Sequence, residues 1–166
     1  SSVSDPDNDT TTVNYDWRLN GSSIAVLNLP MTAPYNNGSR NLTFDMSSFG
    51  NVGVMDNTRP AFNASGIYGS AYTFDGGDKI TFNSPIIPIG TNTILMWVKS
   101  SATNDQSLVT NARLGSGENF THTRITVTGK FQYEIQFGGG NYLAVTGTTS
   151  VNDGNWHFLA GTHSQG

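Results

Sequence analysis

The chain is predicted to be an all-β, antiparallel two-sheet sandwich, and three observations predict it. Apolar and polar residues alternate with period two in at least five segments. Glycine, asparagine, serine and threonine crowd the stretches between those segments, where turns need them. Strong helix formers are scarce, and no segment sustains a helical period. The 166 residues are long enough for one domain with a real core and part of a second.

The first element is a hairpin. Val13, Tyr15 and Trp17 share one face of a half-buried strand over Thr10–Trp17. Asn20-Gly21 is a favoured two-residue hairpin turn, and Ser23–Leu29 supplies the returning strand. Ahead of it, Asp5, Asp7 and Asp9 alternate. A calcium loop of the EF-hand kind needs Gly at its sixth position and Glu at its twelfth. Counted from Asp5, those positions hold Thr10 and Asp16, so a solvated acidic linker is the simpler reading. The D-P-D-x-D…Y-x-W-x-x-N-G spacing resembles the end of immunoglobulin-like repeats of secreted surface proteins. Residues 1–24 are therefore expected to be the tail of such a repeat or a linker, and residues 25–166 a separate domain.

Further along, Thr32–Thr43 reads as loop, and Asn57–Asn63, with Pro60, as another. Ala64–Phe82 reads as strand, tight turn, strand. Tyr72 and Phe74 alternate before Asp75-Gly76-Gly77-Asp78, and Ile80 and Phe82 after it. Thr93–Lys99 is almost continuously apolar, as in a central strand buried on both faces. Ser107–Thr110 and His122–Val127 are shorter. Lys130–Phe137 alternates most cleanly, with Phe131, Tyr133, Ile135 and Phe137 against Lys130, Gln132, Glu134 and Gln136. Tyr142–Thr146 returns after Gly138–Gly140. In Trp156–Thr162, Trp156, Phe158 and Ala160 oppose His157 and Leu159. The expected core is Tyr72, Phe74, Ile80, Phe82, Ile94, Met96, Trp97, Val98, Phe131, Tyr133, Ile135, Phe137, Trp156 and Phe158.

Three motifs in order carry a resemblance. Gly66, Gly69, Ala71, Phe74-Asp75-Gly76 and Asp78 fit G-x-x-G-x-A-x-x-F-D-G-x-D. Met96-Trp97-Val98 follows, then Asp153-Gly154-x-Trp156-His157-x-x-Ala160-Gly161-Thr162. Together they resemble the laminin-G-like, concanavalin-A-like jelly-roll family. Asp45–Gly53 (DMSSFGNVG) partly matches that family's D-x-S-G-x-G-N-x-G turn, with Ser48 and Phe49 in place of small residues. The resemblance implies further strands beyond Gly166, so the jelly roll is expected to be C-terminally incomplete. It also implies an extracellular or cell-surface setting and a structural calcium ion. Asp45, Asp75 and Asp78 are the candidate metal ligands. A second reading stands beside that one: Asp75 and Asp78 simply stabilise their turn through side-chain-to-backbone hydrogen bonds.

Composition excludes several functions. A net charge of −4 with scattered basic residues gives no nucleic-acid footprint. No apolar run is long enough to insert into a membrane, and the absence of cysteine leaves no disulfide or thiolate site. Six N-x-S/T sequons begin at Asn8, Asn20, Asn37, Asn41, Asn63 and Asn119. Glycoside hydrolysis needs paired carboxylates, yet the only glutamates are Glu118 and Glu134. His157 reads as a packing or surface residue and Asp153-Gly154 as a turn, so no enzyme is expected. The polar face of Lys130–Phe137 is the candidate recognition surface: Gln132, Glu134 and Gln136 stand about 7 Å apart along the strand, with Tyr142 as a stacking ring. Such a mixture suits sugar hydroxyls, and a merely solvated sheet face is the alternative. The expected function is a non-catalytic carbohydrate-binding or adhesion module whose partners are glycans, surface glycoproteins and other domains of the same polypeptide. An accessory domain of a secreted glycoside hydrolase and a structural spacer of a surface layer are the other readings.

Overall fold

The computed structural model describes residues 15–55, 59–88, 90–112, 119–137 and 141–165, the side chains of 112 and 142 excepted. Every regular element among them is a strand, in agreement with the expected all-β class. The residues group into two units, Ser1–Asn83 and Ser84–Gly166.

The first unit is built from short antiparallel pieces. β1 (Arg18–Leu19) and β2 (Ser22–Ser23) pair across Asn20-Gly21. Both turn residues have positive φ, 51° and 84°, as a type I′ turn requires. β3 (Tyr35–Asn36), β4 (Asn41–Phe44) and β5 (Val52–Met55) form a three-stranded meander, and β6 (Ala61–Asn63) pairs with β7 (Ala71–Thr73). The expected loops at Thr32–Thr43 and Asn57–Asn63 thus hold strand residues. The expected pairing across Asp75–Asp78 is corrected too. Ala71–Thr73 pairs backwards with β6, while Thr81 bridges Val54 through two backbone bonds of 2.8 and 3.0 Å. Gly53 makes that approach possible, because a Cβ there would meet Ile80 Cγ2 at 2.7 Å and Thr43 Cγ2 at 2.8 Å. Phe74 is exposed, contrary to its place in the expected core.

The second unit is two-layered. β9 (Gln106–Ala112), β10 (Phe120–Ile125), β11 (Lys130–Phe137) and β12 (Asn141–Ser150) form a four-stranded antiparallel sheet in the order β12-β11-β10-β9. β8 (Asn92–Lys99) pairs with β13 (Trp156–His163) along their whole length. Ile125, Val151 and Leu159 form the buried centre, with Met96, Val98, Leu108 and Phe131 packed against them. Side chains from both β layers therefore meet in one core, as in a sandwich. Tyr133 ties the layers: its ring packs on Gly161, where no Cβ would fit, and its hydroxyl donates to Asn92 Oδ1 at 2.6 Å.

The β8–β13 ribbon corrects two expectations. β8 is half-buried on one face only, and Leu95, at 58%, and Trp97, at 40%, are exposed on the other. On β13, Leu159 is buried and Phe158 exposed, the reverse of the expected assignment. The register explains it: Leu159 stands opposite Met96, and Phe158 opposite Trp97, so each pair must share a face. Trp97 and Phe158 meet on the outer side as a tilted pair, 5.3 Å between ring centroids.

Urea unfolding checks this inversion. Leu159→Ala is expected to cost about 3 kcal/mol through cavity formation, and Phe158→Ala about 1 kcal/mol, the worth of an aromatic pair. Equal costs would place both side chains at similar depth and contradict the register.

Candidate functional site: the polar face of the four-stranded sheet

β11 puts its aromatic and aliphatic residues on the core side, so Gln132, Glu134 and Gln136 point outward by strand alternation. Register then decides which residues join them. Glu134 stands opposite His122 on β10 and Ala144 on β12, and Gln132 opposite Arg124 and Thr146. β9 completes the face through a bulge: the register with β10 shifts between Thr123 and Arg124, so Thr110 faces His122 while Ser107 faces Arg124. The extra residue, Leu108, turns into the core, and a serine that plain alternation would separate from Thr110's face is re-aimed onto it.

These side chains form one hydrogen-bonded network. Glu134 is 4% exposed, although it lies on the outer face, because its neighbours cover it. Arg124 Nη2 donates to Glu134 Oε1 at 2.8 Å, and His122 Nδ1 lies 3.2 Å from Glu134 Oε2. Ser107 Oγ lies 2.9 Å from His122 Nε2. Arg124 Nε donates to Gln132 Oε1 at 2.8 Å, and Gln132 Nε2 donates to Thr146 Oγ1 at 2.7 Å. Asp105 lies 3.7 Å from Arg124 at the other end. A buried carboxylate is tolerable only with such partners.

Of the expected ligand-binding residues, the structure brings Gln132, Glu134 and Gln136 together and gives them different parts. Glu134 is a buried support beneath Arg124 and His122. Gln132 is held from both sides. The Gln136 amide has no hydrogen-bond partner among the described residues. The side chain of Tyr142 lies outside the described residues; its backbone pairs with Gln136. Sequence reasoning missed Ser107, His122 and Arg124. They are far from β11 along the chain, and only strand register and a bulge bring them there.

The expected metal ligands lie in the first unit. Asp45 is buried, and its carboxylate accepts from the backbone N–H of Asn28, Ser47 and Asn51, from Ser47 Oγ and from Asn51 Nδ2, at 2.7 to 3.2 Å. A ring of N–H and O–H donors does not fit a cation, which needs oxygen lone pairs. This is the physical content of the D-x-S…N turn: one carboxylate clamps the loop between β4 and β5 to the Val26–Asn28 segment, which Asn51 Nδ2 also reaches through Val26 O. Asp75 Oδ1 accepts from Gly77 N at 2.9 Å, and Asp78 Oδ2 from Asp75 N at 3.0 Å, the geometry of the turn-stabilising reading. Among the described residues no group of three or more His, Asp or Glu side chains is placed to hold a metal ion. Asp5, Asp7 and Asp9 lie outside the described residues.

The D-G-x-W-H segment also resolves into turn chemistry. Asp153 Oδ1 accepts from His157 Nε2 at 2.8 Å and from Asn155 N at 2.9 Å. Led by the His157 bond, these contacts hold the exposed Asp153 carboxyl at about 2. Gly154, at φ 80°, donates its N–H to Ser100 O at 2.8 Å and so locks the start of β13 to the end of β8.

Two antiparallel β layers packed on one core define the second unit as a β sandwich. Residues 74–166, more than half of the chain, match the family described as the concanavalin A-like lectin/glucanases superfamily, and the chain belongs to it. The matched stretch does not include the immunoglobulin-like segment expected at the start. No curated protein and no solved structure matches the chain.

Two measurements test the loop assignments. Burial alone would raise the Asp45 carboxyl, but the bonds from Asn28, Ser47 and Asn51 together outweigh it and leave it below the ordinary 3.8. Its stabilisation is therefore complete above the unfolded value and is lost as pH falls through the lower folded one. Asp45→Asn, which turns an acceptor toward those donors into a donor, is expected to lower stability at pH 7 by about 2 kcal/mol and to flatten melting temperature against pH below 4; an unchanged acid profile counts against the clamp. Calcium titration followed by differential scanning calorimetry is expected to leave the melting temperature unchanged, and a rise that Asp75→Asn or Asp78→Asn removes would restore the metal reading.

Proposed function

We propose that this chain carries a non-catalytic recognition module, extracellular or on a cell surface, that binds glycans through the outer face of β9–β12. The observation that supports it best is the Asp105–Arg124–Gln132–Thr146 chain of polar side chains across that face. A merely solvated face has no need of fixed amides and guanidinium. A sugar ring, which presents hydroxyls in a rigid pattern, is recognised best by groups held in place beforehand. Gln136 and the exposed Thr110 extend the same face with further donors and acceptors. Membership of a superfamily that includes lectins is consistent with this reading, although fold alone does not fix function.

The non-catalytic part has a physical basis. Ser107, His122 and Glu134 have the connectivity of an acyl-transfer triad, which asks for an oxyanion hole beside the serine. On a sheet face the backbone N–H groups lie in the sheet plane, and at the bulge the Val109 N–H is taken by Thr123 Oγ1 at 3.2 Å. They are not aimed at an oxygen developing above the plane. No helix of the described residues is long and apolar enough to cross a membrane, so partners are sought in solution or on a surface.

A glycan array, followed by calorimetry on each hit, tests the proposal. Gln136→Ala and Gln132→Ala are each expected to weaken binding roughly tenfold, the scale of one hydrogen bond to a ligand, with folding intact. Binding that survives both substitutions moves the site off this face.

A further inference from the structure

The Ser107–His122–Glu134 chain carries a consequence for which glycans this face takes. It rests on the glycan-binding reading and deepens it. An ionised carboxylate only accepts hydrogen bonds, so the His122 Nδ1 facing Glu134 Oε2 at 3.2 Å must carry a proton. In the neutral ring Nε2 is then an acceptor, and the Ser107 hydroxyl donates to it across 2.9 Å. That spends the one Ser107 hydrogen, and the serine shows only lone pairs to solvent. When the ring gains a second proton, Nε2 becomes a donor. The hydrogen bond reverses, and the Ser107 hydrogen is freed to point outward.

We propose that His122 acts as a positioning residue that switches Ser107 from acceptor to donor on acidification, so that this face binds acidic glycans, those bearing uronate carboxylates, more tightly at mildly acidic pH. The charged groups around the ring agree with the direction. Glu134 faces it from β11, Arg124 lies two residues along its own strand and bonds Glu134, and Asp105, ahead of β9, reaches Arg124. Among the described residues, two carboxylates stand against one guanidinium, an excess of negative charge while His122 is neutral. Protonation cancels it. A uronate carboxylate, which only accepts, is therefore repelled and offered lone pairs in the first state, and in the second is met by a donor on a neutral cluster. A neutral sugar hydroxyl can donate or accept and feels little of the switch. The ring is partly exposed, its side chain at 21%, so protons reach it.

The test uses the full 166-residue chain. Two-bond proton–nitrogen NMR correlation at pH 8 is expected to show the Nδ1–H tautomer for His122. Calorimetry with oligogalacturonate is expected to show roughly tenfold tighter binding at pH 5 than at pH 8, the scale of one charge-assisted hydrogen bond. The methyl-esterified oligomer, which keeps the backbone and lacks the charge, is expected to show a flat profile. His122→Gln should flatten the profile of the charged oligomer while the chain still melts cooperatively, and Ser107→Ala should reduce the gain. An Nε2–H tautomer, or a uronate affinity that does not change with pH, overturns the switch. If neutral glycans bind and uronates bind at neither pH, this inference fails and the glycan reading stands. If no glycan binds at all while the Nδ1–H tautomer is seen, the glycan reading fails and takes the inference with it.

Discussion

The polar face depends on one buried charge. Glu134 sits between Tyr133 and Ile135, both of which must point into the core, so alternation sends its carboxylate to the outer side of the sheet. There it is covered rather than solvated, and a covered carboxylate without partners costs several kcal/mol. Arg124 and His122 supply the partners from the neighbouring strand. Once Arg124 is committed to Glu134, its Nε is left facing Gln132, and Gln132 in turn fixes on Thr146. Once His122 is committed, its far nitrogen faces Ser107. The order of the network follows outward from the carboxylate, and the outermost groups are left with their orientation already decided.

The same alternation governs the opposite layer with a different outcome. In β8 every second residue faces the core, and the intervening Leu95 and Trp97 face out. Their apolar character reads in sequence as two-sided burial. Hydropathy reports what a residue is, whereas its face is set by which side carries the core. On β13 the larger aromatic side chains are the outer ones, and the core is filled by Leu159 above Gly161, whose missing side chain makes room for Tyr133. Size and hydrophobicity alone point the wrong way there; cross-strand register points the right way.

What could be read from the sequence follows the range of the interaction responsible. Lys130–Phe137 was legible to the residue, because a period-two pattern is local and strong. Asn20-Gly21 and Asp153-Gly154 were legible as turns, because positive φ and a carboxylate two residues from an N–H are local as well. The pairing of β7 was not legible, since Ala71–Thr73 can join β6 or a strand after Gly77 with equal local propriety. The site was half legible. β11's own polar residues were visible, while Ser107, His122 and Arg124 depend on a bulge and on register across three strands, neither of which leaves a mark in a single sequence.

The motifs that place this chain in its superfamily and the face proposed to take a glycan are therefore different parts of the molecule. Asp153, Gly154 and His157 set the turn that joins β13 to β8, Gly161 sets the close approach of Tyr133, and Gly66 turns its N–H onto Gly69 O. Each solves a backbone or packing problem that any sequence adopting these turns must solve. Arg124 and His122 solve a different problem, the burial of the Glu134 carboxylate, whereas Gln132 and Gln136 lie on the outer face and take no part in the core behind it. Membership of the superfamily fixes where the strands run and leaves the chemistry of the outer face to be read from this chain's own residues.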